Sequence, residues 1–208
     1  MKQAAVGFRV HSGWSALVTV SLENGAPTVL SRERVHLVET FIYKFRQPYH
    51  TAGRMPLEKG RAFVEGSLAE AKRLAGSALR STQKELGNKG YELARGALLL
   101  ASGKALPGLE SILLSHALIH TADGEHFREA LRHSCAARGV EIACIKEREL
   151  LDRGVKTLRT KRDRLLRRLT ELGGGFGPPW TQDEKYAALA AWLVLADSAR
   201  SFRTAPPA

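Results

Sequence analysis

The sequence has few cysteines, few acids relative to bases and no long apolar run, and each shortage excludes something. Cys135 and Cys144 are the two thiols in 208 residues. They form no CxxC pair, so neither a zinc ribbon nor a redox motif is available, and a reduced cytosolic setting with both thiols as small buried hydrophobes is the simplest reading. The longest apolar run, Ala187 to Ala196, is ten residues, about half of the ~20 that a helix needs to cross a bilayer. No membrane span is expected. Near the start, Arg9 and His11 interrupt Ala4-Ala5-Val6-Gly7-Phe8 before a signal-peptide core forms, which points to the cytoplasm. Ser102-Gly103-Lys104 lacks the upstream glycine of a phosphate loop and is followed by Ala105, so no nucleotide motif is present and no cofactor is implied. Lys104 is left as a weak anion-binding candidate at a strand end, facing the start of a helix.

The acids are outnumbered: 21 Asp and Glu stand against 32 Lys and Arg, a net charge of +11 at a pI near 10.1. With 44% hydrophobic residues the chain reads as one globular α/β domain over 1–208, with a frayed tail at 200–208. The charge is concentrated. Arg153, Lys156, Arg159, Lys161, Arg162, Arg164, Arg167 and Arg168 face one acid, Asp163, so this stretch supplies +7 of the +11. Leu151, Val155, Leu158, Leu165, Leu169 and Leu172 recur at helical spacing through it, with Arg162 at the one missing position, so a single basic amphipathic helix is expected at about 150–172. Its arginines would follow phosphates over roughly 22 Å of helix. Nucleic acid or a ribonucleoprotein is therefore the expected partner, and Leu158, Leu165 and Leu169 offer a stripe through which a homodimer could form.

The first third reads as a β-meander: Ala4 to Val10, Ser15 to Leu22 and Thr28 to about Val38, with Asn24-Gly25 as a hairpin turn. The third strand alternates charged and apolar residues, as an edge strand does. A helix follows from Pro56 to near Gly87. Next come a buried strand at Gly96 to Ala101, helix from about Gly108 to Arg138 with a break near Gly124, and a fifth strand at Val140 to Ile145. After the glycine-rich connector Gly173 to Pro179, Thr181 and Glu184 form a capping-box signature that opens an alanine-rich helix.

The order β-β-β-α-β-α-β-α, meander first, resembles the ribonuclease H-like fold, with a five-stranded mixed sheet flanked by helices. The segment Asp183-Glu184-Lys185-Tyr186-Ala187-Ala188-Leu189-Ala190-Ala191 is similar to the closing helix of Holliday-junction resolvases, where a metal-binding aspartate precedes an alanine-rich run. The resemblance implies phosphodiester cleavage by two metal ions held by converging carboxylates. It also implies an aspartate in the first strand, where this chain has Arg9, and an acid at the end of the fourth, where it has Ala101-Ser102-Gly103-Lys104. Asp183 alone cannot organise such a site, so a conventional nuclease is disfavoured.

His116, His120 and Asp123 fall on one helix face at i, i+4 and i+7. The spacing suits zinc, but no third ligand is identifiable and HExxH lacks its glutamate, so packing of the two histidines is preferred and no metal site is expected. Gln47-Pro48-Tyr49-His50 and Gly177-Pro178-Pro179-Trp180 are aromatic loops that either stack on bases or anchor their own segments. The expectation is thus a non-catalytic or atypical nucleic-acid-binding module. An enzyme with a pocket of His116, His120, Asp123 and Asp183 is one alternative, and a helix-mediated interaction protein another.

Overall fold

A computed structural model describes residues 1–101 and 105–204, with side chains described through 197. Three strands come first: β1 (Lys2–His11), β2 (Trp14–Glu23) and β3 (Ala26–His36). Asn24 and Gly25 take φ of 51° and 80° at the β2–β3 turn, the positive values that a tight hairpin demands. Two short helices, α1 (Tyr43–Arg46) and α2 (Pro48–Ala52), precede the long α3 (Leu57–Asn88). Strand β4 (Tyr91–Leu100), helices α4 (Leu109–Leu113) and α5 (His116–Ala136) and strand β5 (Glu141–Lys146) follow. A single 3-10 turn, Glu147–Glu149, leads to α6 (Leu150–Leu158), α7 (Arg162–Glu171) and α8 (Gln182–Thr204). The sheet order is β3-β2-β1-β4-β5. Pairing is antiparallel within the meander and parallel for β1–β4 and β4–β5, so β3 is an edge and β4 is interior, as the sequence indicates.

The period-two alternation of β1 divides the molecule into two layers. Ala4, Val6, Phe8 and Val10 point into a core with Ala75 and Leu79 of α3 and Phe127 and Leu131 of α5. Ala5 points to the other side, where Leu150, Leu165, Leu169 and the alanine-rich face of α8 close a second core. Gly7 shares that side, and a Cβ there would lie 1.8 Å from the Ala187 carbonyl oxygen. Helix α8 therefore rests directly on strand backbone. The Thr181 amide donates to Glu184 at 2.8 Å and the Asp183 amide to the Thr181 hydroxyl at 3.2 Å, which is the capping box in place at the start of α8.

Four expectations need correction. The basic segment is two helices: Arg159 takes a left-handed φ of 49° and caps α6, which breaks the run before Arg162 opens α7. Arg162 consequently fills no gap in an apolar stripe; it is exposed and paired with Asp152. Leu165 and Leu169 are each 1% exposed in the chain's own core, and Leu158 packs against that core, so the stripe has no free face for a second copy. The helical break after β4 falls at Leu114, just before Ser115, whose hydroxyl accepts from the Leu118 amide; α5 runs unbroken through Gly124. Finally, Cys135 is buried but Cys144, on the outer strand β5, is exposed. Lys104 and residues 205–208 of the tail lie outside the described residues. Among those that are described, no helix is long and apolar enough to cross a membrane.

Two stability predictions follow from the layers. Gly7→Ala should cost about 3 kcal/mol or more in urea unfolding, because neither backbone can retreat from the new methyl. His126 of α5 is 3% exposed, bonded through Nε2 to Ser67 at 3.2 Å, with no partner for Nδ1 among the described residues. Burial pushes its pKa down from 6.5 to about 4. The folded state thus holds it neutral: its contribution is intact above the unfolded value and lost as pH falls from 6.5 toward 4, by roughly 3 kcal/mol in all. His126→Phe should flatten that acid limb in denaturation curves measured between these two pH values.

Candidate functional site

Strands β1, β4 and β5 are parallel, and their C-terminal ends share the sheet edge where α/β folds place their ligands. On the α8 side of that edge lies a charged centre. Arg9 and His11 continue the Ala5-Gly7 face of β1 beyond the apolar layer and meet Asp183 from the first turn of α8. Arg9 also makes a forked pair with Glu147, Nε at 3.1 Å and Nη2 at 2.6 Å from its carboxylate oxygens. Its Nη1 donates to Asp183, and the ring of His11 lies 2.8 Å from the same carboxylate. Burial acts to raise the Asp183 carboxyl, but the bonds from His11 and Arg9 outweigh it and hold the group below its ordinary value. The Glu147 and Asp183 pairs, with burial opposing them, raise the Arg9 guanidinium further. His11 stacks on Trp14 at 4.3 Å, and the Arg34 guanidinium lies over the Trp14 ring at 3.9 Å.

The two-metal centre implied by the ribonuclease H-like resemblance does not fit here. Its carboxylates would have to be free to bind cations, yet Glu147 and Asp183 both hold a guanidinium that carries the positive charge itself. Glu147 was not legible as a site residue, since nothing local separates it from the acids around it. Asp183 is accordingly not grouped with His116, His120 and Asp123; it belongs to the Arg9 centre on the other face of the sheet.

On the α3–α5 side the structure assembles a second constellation. His116 and His120 are neither buried nor packed: both are exposed on the first turns of α5, and His50 of α2 joins them. The ring centroids lie 4.4 Å apart for His116–His120, 4.5 Å for His50–His120 and 5.6 Å for His50–His116. One ligand nitrogen from each lies within 4.8 Å of the others. Asp123 stands behind them, 4% exposed, and accepts from His50 Nδ1 at 2.5 Å and from the Tyr49 amide at 2.7 Å. Helix α2 begins with Pro48 at its first position and has no side-chain cap of its own, so Asp123 serves as that cap from a distance. Burial raises the Asp123 carboxyl above its ordinary value, against the bonds from His50 and the Tyr49 amide.

This is the carboxylate–histidine pairing that fixes a metal-binding imidazole: the Asp123 bond occupies Nδ1 and leaves Nε2 of His50 for a ligand. Three histidines suffice for zinc, with the fourth position left to solvent. The sequence supplied three of these four residues on one helix face. The missing member, His50, is 73 residues from Asp123 and joins the group only through packing of α2 on α5; its one signal was Pro48 as the opening residue of a short helix. Of the two segments expected as aromatic loops, the second is anchored by Trp180, its indole donating to the Leu169 carbonyl at 2.7 Å; the first is helical from Pro48, with Tyr49 of α2 edge-on to His126 at 5.9 Å.

The eight basic candidates, Arg153 through Arg168, are all exposed, on the α8 side of the sheet. Arg153 pairs with Asp197, Arg162 with Asp152, and Arg168 weakly with Glu171 at 3.8 Å. The basic surface and the histidine cluster therefore occupy opposite faces.

No family model and no curated protein sequence matches the chain. Its fold does have counterparts: the chain has the ribonuclease H-like fold, a mixed five-stranded sheet flanked by helices. Thermus thermophilus RuvC in complex with Holliday junction substrate superposes with a TM-score of 0.54 at 10% identity, over 95% of this chain and 96% of that one. RuvC alone gives 0.54 at 9% identity over the same shares. The yeast mitochondrial Holliday junction resolvase Ydc2 gives 0.53 at 11% identity, over 95% and 82%. The expectation of a non-catalytic module is thereby corrected: these counterparts are resolvases, one of them held on its substrate.

Replacing Arg9 with Met should leave two half-buried carboxylates facing each other without a cation. The expected loss is about 2–3 kcal/mol at pH 7 in urea unfolding, after allowance for solvent screening. It should shrink as pH falls below the ordinary aspartate range, where the stabilisation that Arg9 gives the Asp183 carboxylate is lost.

Proposed function

We propose that the protein is a metal-dependent hydrolase of phosphoester bonds whose metal, of the zinc type, is held by His50, His116 and His120. The observation that carries this reading is the convergence of three imidazoles, one of them oriented by the buried Asp123 carboxylate, on a surface open to solvent. A tetrahedral ion with bonds of 2.0–2.1 Å needs nitrogens about 3.4 Å apart. Rotation of the exposed His116 and His120 rings can close that distance, while His50 stays fixed. Zinc held by three histidines supplies a Lewis acid and a water acidified to near-neutral pKa.

The surroundings favour an anionic substrate. Tyr43 lies edge-on to His50 at 6.4 Å, and Arg54 lies 5.9 Å from the Tyr43 ring, so a guanidinium flanks the cluster. Nucleic acid is the partner class we favour, supported by the net charge of +11 and by a fold shared with RuvC, which is seen with Holliday junction substrate. Arg159, Arg164 and Arg167 would then meet phosphates away from the histidines, since they lie across the sheet.

Metal-stripped protein should take up a single Zn2+ or Co2+ per chain, the cobalt form showing the visible bands of a tetrahedral site. His116→Ala and His120→Ala should each abolish this, and Asp123→Asn should weaken it about 10–100-fold. Hydrolysis of bis(p-nitrophenyl) phosphate should track occupancy. Uptake indifferent to the histidine variants would overturn the site; stoichiometric uptake with no metal-dependent cleavage of phosphate esters, DNA or RNA would overturn the reaction.

A further inference from the structure

On the face away from the histidines, α6, α7, α8 and the β2–β3 turn enclose a cavity of about 450 Å³, inside the range of about 300–1,000 Å³ typical of small-ligand sites. Leu22, Leu158 and Leu165 supply apolar wall, and Arg164, Arg168, Thr160 and Trp192 are among the other lining residues. The polar groups are under-used. Arg164 makes no ion pair or hydrogen bond among the described residues, and the carboxylate nearest Arg168, that of Glu171, is 3.8 Å away. Two cations one helical turn apart repel each other, and here they do so at the rim of an apolar hollow, where a bound anion would relieve the repulsion. Trp192 is half-buried and its indole N–H has no partner among the described residues.

We propose that this cleft binds a nucleotide unit, its phosphate between Arg164 and Arg168 and its base against Trp192. Guanidinium groups match phosphate oxygens through paired N–H donors, which a lone lysine does not. An aromatic wall beside them accepts any base through its flat face. The Thr160 hydroxyl is a further donor to the phosphate or sugar. A carboxylate ligand would satisfy one arginine and leave the aromatic wall without a role, so the combination selects a phosphorylated aromatic ligand. That unit can come from a free nucleotide or from a nucleic-acid strand. The inference does not depend on the metal reading, because no residue is shared between the two sites.

The test is Trp192 fluorescence at fixed ionic strength, titrated with adenosine monophosphate, adenosine, inorganic phosphate and a short oligothymidylate. Wild-type protein should be quenched by the nucleotide or the oligonucleotide, and Trp192→Phe should not. Arg164→Gln/Arg168→Gln should weaken binding about tenfold or more, while Arg153→Gln/Arg162→Gln, with the same change in charge outside the cleft, should not. Binding of the monophosphate identifies a free nucleotide as a ligand; binding of the oligonucleotide alone identifies a strand. Absence of both, equal binding by inorganic phosphate, or equal loss in the two arginine pairs would overturn the cleft. All four substituted arginines are exposed, so the variants should fold.

Discussion

The contact between the backbones of Gly7 and Ala187 sets the arrangement of everything on one side of the sheet. With a hydrogen in place of a side chain at position 7, α8 can lie on β1 at a depth that a methyl group would forbid. That depth lets Ala187, Ala188, Ala190 and Ala191 form a fully buried seam and brings the helix start over the end of the strand. Asp183, one turn before Ala187, then falls beside Arg9 and His11, two and four residues beyond Gly7 on the same face. The ion pairs are thus a consequence of how closely helix and strand approach.

The same depth explains what the sheet edge does not do. The resemblance implies acids in β1, at the end of β4 and at the start of the closing helix; the two acids that meet at this edge, Glu147 and Asp183, come instead from the turn after β5 and from α8. Arg9 stands between them with part of its surface withdrawn from water, bonded to both. A guanidinium is permanently charged and cannot be displaced without exposing two partly desolvated carboxylates. Positive charge is therefore supplied covalently at the place where the metal centre implied by the resemblance would recruit it from solution.

Much of this was legible in the sequence. Strand alternation, Asn24-Gly25, the Thr181–Glu184 box and the alanine-rich helix each carry a local physical signal, and together they fix element order and hence the fold. The misread boundaries have weaker signals. Arg159 breaks the basic segment by adopting a left-handed conformation that glycine or asparagine would normally announce, and the break expected near Gly124 falls instead before Ser115, whose hydroxyl caps α5. His116, His120 and Asp123 were visible because helical spacing is local. His50 was not, because no periodicity links residues on separate helices, and the pairing of α2 with α5 depends on a buried carboxylate whose second partner is a backbone amide. Glu147 was hidden for the same reason.

Asp123 is where folding and chemistry meet. A carboxylate 4% exposed would be costly in a core without compensation, and it is compensated by two donors from α2, the Tyr49 amide and His50 Nδ1. The first satisfies the open N-terminus of a helix too short to hold itself in place. The second turns an imidazole outward. Docking of α2 on α5 is thus inseparable from the orientation of His50, so a site for a ligand is built by the same bonds that order the segment. The Arg9 centre works in the opposite sense: its acids are paired within the chain, with Arg9 and His11. Of these two clusters, the one organised by Asp123 brings three imidazoles together, and that convergence is what separates a site from a structural ion pair.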